Sequence, residues 1–307
     1  MKKTTRILAL VLSLVLCMGL VACGGGTAPS AAPPATAPAA TAAATAAPPA
    51  SEAPTESEAP ATDYDYIIGK GEMVIGYTDY APMNYFDDSG KFTGFDTEFA
   101  EAVCAKLGVE PDFVEINWDT KGIELAAKSI DCIWNGMTIN PGLLAEMSIS
   151  LPYVLNAQVV VVKADSGYTS TADLIGKTVV AEAGSAGEVQ LLGDAEHDVD
   201  PEENLAQAEY ISMTKQTDCL LEVMAGTADA CVLDWTLTKT MTGEGTDFAG
   251  LMMLPGLMLG DEEYGIAFRK GSDMTEQVNA IILELVADGT LPDLAEKYDL
   301  SLSPEIE

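Results

Sequence analysis

Two carboxylates and a serine stand where the sequence predicts the ends of strands and the start of a helix. Glu182 closes the apolar run 178–181 and Asp234 closes the run 231–233, so each is expected at the carboxyl end of a strand. Ser185 stands where a helix is predicted to begin. The free amides and the dipole of a helix start suit a carboxylate, although an ordinary N-cap has the same sequence. The chemistry that these residues offer is non-covalent recognition of charge.

Histidine-based catalysis finds little support in the sequence. His197 is the sole histidine and lies in the acidic loop 194–200, so no Ser/His or Cys/His arrangement can form. The same loop, continued by Glu202 and Glu203, offers oxygen ligands but lacks the glycine and the spacing of an EF-hand. A solvated acidic loop is the favoured interpretation. We therefore expect no catalytic residue, no metal site and no cofactor.

The elements that position these residues alternate between strand and helix. Strands are predicted at 73–75, 113–116, 132–134, 158–162, 178–181, 231–234 and 264–268. Asp96 is predicted as the N-cap of the first intervening helix, and Asn140 followed by Pro141 as the start of another. Such alternation implies parallel sheets with helices on both faces, and here it describes two similar α/β units. Ligands of such sheets bind beyond the carboxyl ends of the strands.

The start of the chain carries the signals of an exported protein. Three basic residues precede the apolar run 7–20, which is shorter than the roughly 20 residues that cross a bilayer. Residues 1–22 are therefore predicted to be a signal peptide. The stretch 20–23 resembles the lipobox of bacterial lipoproteins, which are cut before the cysteine and acylated on it. This resemblance implies lipidation of Cys23, with palmitate among the lipids, and anchoring on the extracytoplasmic face of the cell membrane.

Residues 23–62 are rich in alanine, proline and threonine and contain no basic residue. We expect a disordered tether that spans about 35 Å. Without residues 1–22 the chain has 12 basic residues against 48 acidic ones, a net charge of −36. Nucleic acid and anionic lipid are therefore poor partners. The remaining residues, about 245 from position 63 onward, suffice for one large domain or two lobes.

Four cysteines remain in the predicted folded part, all in apolar helix or strand patterns and without metal-ligand spacing. They are Cys104, Cys132, Cys219 and Cys231. Buried free thiols are the leading interpretation. A disulfide is possible in an exported protein, but its pairing cannot be read from the sequence.

A series of short motifs in fixed order resembles a known family. They are Ala81-Pro82-Met83, the stretch 90–96, Asn117-Trp118-Asp119-Thr120-Lys121, the stretch 130–138, Pro152-Tyr153 and the stretch 173–177. The chain resembles the bacterial extracellular solute-binding proteins of family 3, the substrate-binding lipoproteins of polar amino-acid ABC importers. The resemblance covers nearly all of residues 66–298.

The resemblance implies an α/β, two-lobed, periplasmic-binding-protein-like fold of type II. Each lobe would be a mixed, mainly parallel sheet flanked by helices, and two hinge strands would join the lobes. Lobe 1 is expected at 63–158 plus 262–307 and lobe 2 at 159–261. The implied function is capture of an amino acid or a related small amine by hinge closure, followed by delivery to the permease. We expect a monomer.

The resemblance also implies a set of ligand-binding residues. They are Tyr77, Tyr80, Trp118, Asn135, Gly136, Thr138, Ser185 and Asp234. In the family, aromatic residues stack on the ligand or pack beneath it, and the residues after the third strand donate hydrogen bonds. The aspartate that corresponds to Asp234 pairs with the α-ammonium group of the ligand.

One departure from the family pattern changes the expected ligand chemistry. Family members place an arginine after the third strand, where its planar guanidinium clamps the α-carboxylate through two hydrogen bonds. That position is Leu143 in this chain. Arg269 is the only arginine after residue 22, and its place after the last strand predicts a surface location.

Two interpretations of the missing arginine stay open. Lys121 could reach the site and replace the clamp as a point charge with fewer fixed donors. Alternatively, Glu182 and Asp234, together with Asp79, would favour an amine or another cationic solute held by carboxylates and aromatic faces.

Two other classes of function also stay open. Cyclohexadienyl dehydratases share the implied fold and use an acid in the cleft, a role that Glu182 could fill. The chain could otherwise be a receptor domain that presents its ligand to a sensor protein.

Overall fold

The computed structural model describes residues 62–307. The predicted signal peptide, the predicted lipid attachment at Cys23 and the predicted tether up to residue 61 lie outside the described residues. The strands are β1 (Glu72–Tyr77), β2 (Tyr85–Phe86), β3 (Phe92–Thr93), β4 (Glu110–Glu115), β5 (Cys132–Thr138), β6 (Met147–Ile149), β7 (Val154–Lys163), β8 (Thr178–Glu182), β9 (Glu209–Met213), β10 (Ala230–Asp234), β11 (Leu251–Met253) and β12 (Leu259–Arg269). The helices are α1 (Asp63–Lys70), α2 (Phe95–Leu107), α3 (Lys121–Ala126), α4 (Pro141–Glu146), α5 (Ala186–Leu192), α6 (Gln216–Ala225), α7 (Trp235–Met241), α8 (Met274–Ala287) and α9 (Thr290–Lys297). Short 3-10 turns cover Trp118–Thr120, Thr171–Leu174 and Leu205–Gln207.

One continuous sheet runs in the order β4-β1-β5-β12-β7-β10-β8-β9, with β6 beside β12 and β11 beside β7. Strand β1 pairs in parallel with β4 and β5, and these three form the first half-sheet. Strand β8 pairs in parallel with β9 and β10, which form the second half-sheet. The two long strands β7 and β12 lie between the halves and pair antiparallel with each other. The predicted α/β alternation and the two similar units are thereby confirmed.

Strand β7 changes character along its length. Residues 159–162 are four consecutive valines, all buried, as expected for a strand covered on both faces. Asn156 and Gln158 precede them and are also buried, and their spacing of two places both side chains on one face of the strand. The amino-terminal part of β7 therefore presents a polar face inside the molecule.

Helix α2 begins two residues earlier than the sequence predicts, so the prediction of Asp96 as its N-cap is wrong. Gly94 occupies the cap position with a φ of 131°. A β-carbon at Gly94 would lie 2.1 Å from the carbonyl oxygen of Met83, which leaves room only for glycine. Asp96 consequently lies within the first turn, fully buried, and faces the strands.

The prediction that Arg269 lies on the surface is also wrong, because its side chain is only 12% exposed. Its Nε donates to a carboxylate oxygen of Asp63 at 2.9 Å, and its Nη1 donates to the carbonyl oxygen of Ile130 at 2.9 Å. The guanidinium therefore fastens α1 to the turn that precedes β5.

The four cysteines of the described region are buried and free, as predicted. Burial raises the pKa of the Cys104 thiol to about 12. Within residues 62–307, no helix is long and apolar enough to cross a bilayer.

Candidate binding cavity

A narrow cavity lies at the carboxyl ends of β5, β8 and β10. Its lining includes nine of the ten predicted ligand-binding residues, drawn from both half-sheets. They are Tyr80, Trp118, Lys121, Asn135, Gly136, Thr138, Glu182, Ser185 and Asp234. The structure thus brings residues together that are up to about 150 positions apart in the sequence.

Tyr77 is the predicted residue that does not line this cavity. Its ring packs against Phe92 at 4.7 Å between centroids and against Phe113 at 6.3 Å. The exposed Asp79 and the neighbouring Tyr85 line a separate surface pocket. These three residues therefore lie apart from the group that converges on the cavity.

Asn135 is held by neighbours on both sides. Its Oδ1 accepts hydrogen bonds from the amide and the hydroxyl of Thr78 at 3.1 and 2.7 Å. Its Nδ2 donates to the carbonyl oxygen of Thr78 at 2.9 Å and to Oδ1 of Asn84 at 2.8 Å. All four polar valences of this amide are used within the protein. Asn135 therefore shapes the cavity wall more than it offers hydrogen bonds to a ligand.

Gly136 is similarly committed to the protein. Its amide donates to Oδ2 of Asp96 at 2.7 Å, and the buried hydroxyl of Tyr153 donates to the same oxygen at 3.0 Å. Burial raises the pKa of the Asp96 carboxyl to about 7, and these two hydrogen bonds oppose the rise. Gly136 has a φ of 55°, and a β-carbon there would lie 2.7 Å from Cε1 of Tyr80.

Two side chains of the first half reach across to the second. The hydroxyl of Tyr80 lies 2.5 Å from Oγ1 of Thr236. Nζ of Lys121 donates to the carbonyl oxygen of Gly184 at 2.7 Å and to that of Trp118 at 3.2 Å, and it lies 4.8 Å from the Trp118 ring centroid. Burial lowers the pKa of Lys121 to about 8, although the charge of nearby Glu182 opposes the fall.

Ser185 acts as the N-cap of α5. Its Oγ accepts a hydrogen bond from the amide of Glu188 at 3.2 Å. Oε2 of Glu188 in turn accepts from the amide of Gly184 at 2.8 Å. The hydroxyl of Ser185 therefore acts as an ordinary N-cap, the alternative that the sequence left open.

Asp234 lies inside a cluster of amide side chains. Its Oδ1 accepts from Nδ2 of Asn156 at 2.6 Å and from Nε2 of Gln158 at 2.7 Å. Its Oδ2 accepts from Nε2 of Gln216. Both of these β7 amides also donate to Oε2 of Glu262, at 3.1 and 2.9 Å. Burial and the charge of Asp234 raise the pKa of Glu262 to about 7.

Sequence reasoning missed these supporting residues. Asn156 and Gln158 carried a readable signal, because two polar residues at strand spacing precede a run of valines. Gln216 carried none, since a glutamine at the start of a helix is ordinary. It nevertheless lines the cavity and donates to Asp234.

Glu182 differs from the other polar residues of the lining. Its side chain is only 3% exposed, yet its carboxylate accepts no hydrogen bond and forms no salt bridge within the described part of the chain. Burial raises the pKa of the Glu182 carboxyl to about 8, and the charge of Asp234 adds to the rise while Lys121 opposes it. A buried carboxylate without a partner is costly unless something neutralises it.

Leu143 lines the cavity at the position where the family pattern has arginine. The predicted start of its helix is confirmed, because Oδ1 of Asn140 accepts from the amide of Leu143 at 2.9 Å and Pro141 occupies the first turn. Lys121 is the one cationic residue among those that line the cavity.

The cavity lies at the strand ends of two half-sheets, and two long antiparallel strands connect these half-sheets. This arrangement is that of the two-lobed solute-binding proteins with the type II fold. Residues 73–301 match the family described as bacterial extracellular solute-binding proteins, family 3, and the chain belongs to this family. The predicted fold class and family are thereby confirmed, and they indicate an extracytoplasmic location.

Three known proteins illustrate the similarity. The L-cystine-binding protein TcyJ of Escherichia coli (strain K12) is 31% identical over 239 residues, which cover 75% of this chain and 83% of that protein. The P235GK mutant of ArgBP from T. maritima is 31% identical with a TM-score of 0.69, over 78% of this chain and 99% of that one. The ancestral amino acid-binding protein AncCDT-1, a precursor of cyclohexadienyl dehydratase, is 28% identical with a TM-score of 0.67, over 77% of this chain and 99% of that one.

Proposed function

We propose that this protein is the substrate-binding component of an ABC importer and captures an amino acid or a related small amine. The observation that carries the proposal is the convergence of nine predicted site residues on one cavity between the half-sheets. The names of TcyJ, a cystine-binding protein, and AncCDT-1, an amino acid-binding protein, support a ligand of this class. In this proposal the lining residues contact the ligand directly or hold those that do.

Binding in this proposal closes two lobes, 63–158 plus 262–307 and 159–261, about β7 and β12. In this proposal the contacts between the two lobes are those of the closed arrangement. Lys121 donates to the carbonyl oxygen of Gly184, and Lys215 forms an ion pair with Glu115. A ligand that contacts both parts would stabilise the closed arrangement.

Lipid anchoring is a further part of the proposal. Cys23 would carry the lipid, and residues 23–62 would hold the binding domain away from the membrane. The protein would act as a monomer and deliver its ligand to the permease of the importer. Metabolic labelling with a palmitate analogue tests this step. We expect label in the wild-type protein and none in Cys23→Ala, and release of the unlabelled variant into the medium.

A thermal-shift screen of amino acids, amines and small organic acids tests the proposed function. A ligand that binds only the folded state at 100 times its Kd adds about 2.7 kcal/mol to the free energy of unfolding. We expect at least one amino acid or amine to raise Tm by several degrees. A screen without any such shift contradicts the proposed function.

Catalysis is a second candidate because Glu182 is buried, unpartnered and has a pKa raised to about 8, which suits a proton donor. Our proposal remains a binding protein without enzymatic activity. Incubation with prephenate separates the two, since formation of an aromatic product that Glu182→Gln abolishes would establish the dehydratase alternative.

A further inference from the structure

We propose that the cavity selects small organic cations, either amines or guanidines, and that the ligand does not need a carboxylate group. This inference rests on the proposed function because it names the chemical class of the ligand for the same cavity. It follows from what each charged or polar group of the lining already contacts.

Glu182 is the group that calls for a cation. It lies at the end of β8, it lines the cavity, and its side chain is 3% exposed. Its Oε1 is buried without a hydrogen-bond partner in the described part of the chain. An ammonium or guanidinium group would displace the proton that burial favours on Glu182 and would supply both the missing hydrogen bonds and the neutralising charge.

The charged groups around Glu182 do not supply that neutralisation. Asp234, at the end of the adjacent strand β10, and Asp218, on α6, both oppose ionisation of Glu182. Lys121 and Lys215 favour it, but neither forms a salt bridge with Glu182 among the described residues, because Nζ of Lys121 donates to two carbonyl oxygens and Lys215 pairs with Glu115. The lining thus holds two carboxylates against one ammonium group.

A ligand carboxylate would find few free donors in the same cavity. Leu143 offers the cavity no donor, Lys121 is the one cationic residue among the lining residues, and Arg269 is bound to Asp63. The amide of Gly136 is taken by Asp96, and the hydroxyl of Thr138 donates to Oε2 of Glu262. Desolvating a carboxylate without compensating hydrogen bonds is unfavourable.

Aromatic residues complete the cation site. Trp118 lines the cavity and already holds Nζ of Lys121 at 4.8 Å from its ring centroid, and Tyr80 lines the same wall. The faces of such rings attract desolvated cations. An alkylamine or guanidine can thus be surrounded by two carboxylates and aromatic rings.

Matched ligand pairs test the inference directly. Isothermal titration calorimetry on the protein is run with arginine and agmatine, ornithine and putrescine, and lysine and cadaverine, where the second member lacks only the α-carboxylate. For at least one pair we expect the decarboxylated member to bind as tightly as the amino acid or more tightly. Amino acids that bind at least tenfold more tightly than their partners in every pair would overturn the inference.

Two variants sharpen the test. Glu182→Gln should weaken binding of the amine at least tenfold, because charge-assisted hydrogen bonds are lost. Its Tm should equal or exceed that of the wild type, which excludes misfolding as the cause. Glu209→Gln makes the same change at an exposed position of β9 and should leave the affinity unchanged. Unchanged amine binding by Glu182→Gln would overturn the inference.

Leu143→Arg restores the cation of the family pattern. It should improve the affinity for arginine relative to agmatine at least tenfold over the wild-type ratio, since a guanidinium–carboxylate pair is added. If only neutral or acidic amino acids bind the wild type, the inference fails and the proposed function stands. If no molecule of the wider screen binds, both fail.

Discussion

The two walls of the cavity differ in how their polar groups are satisfied. On the wall from the first half-sheet, Asn135 uses all its hydrogen-bonding capacity on Thr78 and Asn84, and Gly136 donates to Asp96. On the wall from the second half-sheet, Glu182 has no hydrogen-bond partner among the described residues. Both walls are buried, so solvent does not account for the difference.

The two walls therefore have different roles, since one fixes the shape of the cavity and the other recognises the ligand. A buried polar group that is fully paired stabilises the fold and fixes the geometry of its neighbours. A buried charge that is unpaired destabilises the free protein and gains most when a complementary ligand arrives. We therefore assign the first wall mainly to shape and the second mainly to the choice of ligand charge.

The largest effect is expected for Asp96→Ala, which removes a hydrogen-bond acceptor behind the wall from the first half-sheet. The substitution leaves the amide of Gly136 and the buried hydroxyl of Tyr153 without their acceptor. Each orphaned group costs about 1–3 kcal/mol, so we expect a loss of about 4 kcal/mol in the free energy of unfolding, measured by urea denaturation. Asp96→Asn retains an acceptor oxygen and should lose less than half of that. Equal losses for both variants would show that these hydrogen bonds do not support the wall.

Gly136→Ala should have the next largest effect. The new β-carbon would lie 2.7 Å from Cε1 of Tyr80, and the φ of 55° adds backbone strain. We expect a loss of about 3 kcal/mol in unfolding free energy. Gly90→Ala is the matched control, because Gly90 has a φ of 79° with open space around it and should cost about 1 kcal/mol. A similar cost at both positions would mean that Tyr80 moves aside freely.

The pH dependence of the free energy of unfolding tests whether Glu182, on the wall from the second half-sheet, lacks a partner. Glu182 has its pKa raised from 4.5 to about 8, so the folded protein holds this proton more tightly than the unfolded chain. The resulting stability is complete below pH 4.5 and is lost as the pH rises through about 8. Glu182→Gln removes this loss, and its stability relative to the wild type should rise by about 3 kcal/mol between pH 5 and pH 8 without ligand.

Asp96 and Glu262 also have raised pKa values, but they are present in both proteins and cancel from the difference. Lys121 has its pKa lowered from 10.5 to about 8, so its own contribution increases stability only as the pH rises above about 8. Thermal melts of the two proteins at matched pH provide the measurement. A constant difference from pH 5 to pH 8 would refute an unpartnered Glu182.

The smallest effect on ligand affinity is expected for the ion pair that joins the two proposed lobes. Lys215 and Glu115 keep side-chain exposures of 35% and 49%, so water and salt screen their attraction. Glu115→Ala should weaken ligand binding by less than about threefold, and high salt should abolish the difference. Glu284→Ala breaks an ion pair to Lys106 within one part and should leave the affinity unchanged. A tenfold effect of Glu115→Ala would assign a larger role in closure to this pair.

The amino-acid sequence was sufficient to predict the elements and the residues that meet at the cavity. Alternating apolar runs place Asp234 and Glu182 at strand ends, and parallel strands bring such ends to one edge. The helix start at Asn140 was equally readable, because a cap and a following proline act on their own backbone. In each case the cause lies within a few residues of its effect.

By itself, then, the sequence determined the order of strands and helices, the family, and the absence of arginine at position 143. Only the tertiary structure decided which polar groups are already engaged. Asn156 and Asp234 are 78 positions apart, and Arg269 and Asp63 are 206 apart, yet each pair shares a hydrogen bond. Among the described residues, no such long-range hydrogen bond reaches the Glu182 side chain. Hydrogen-bond partners are chosen by the packing of whole elements, so no local pattern can show which charge is left for a ligand.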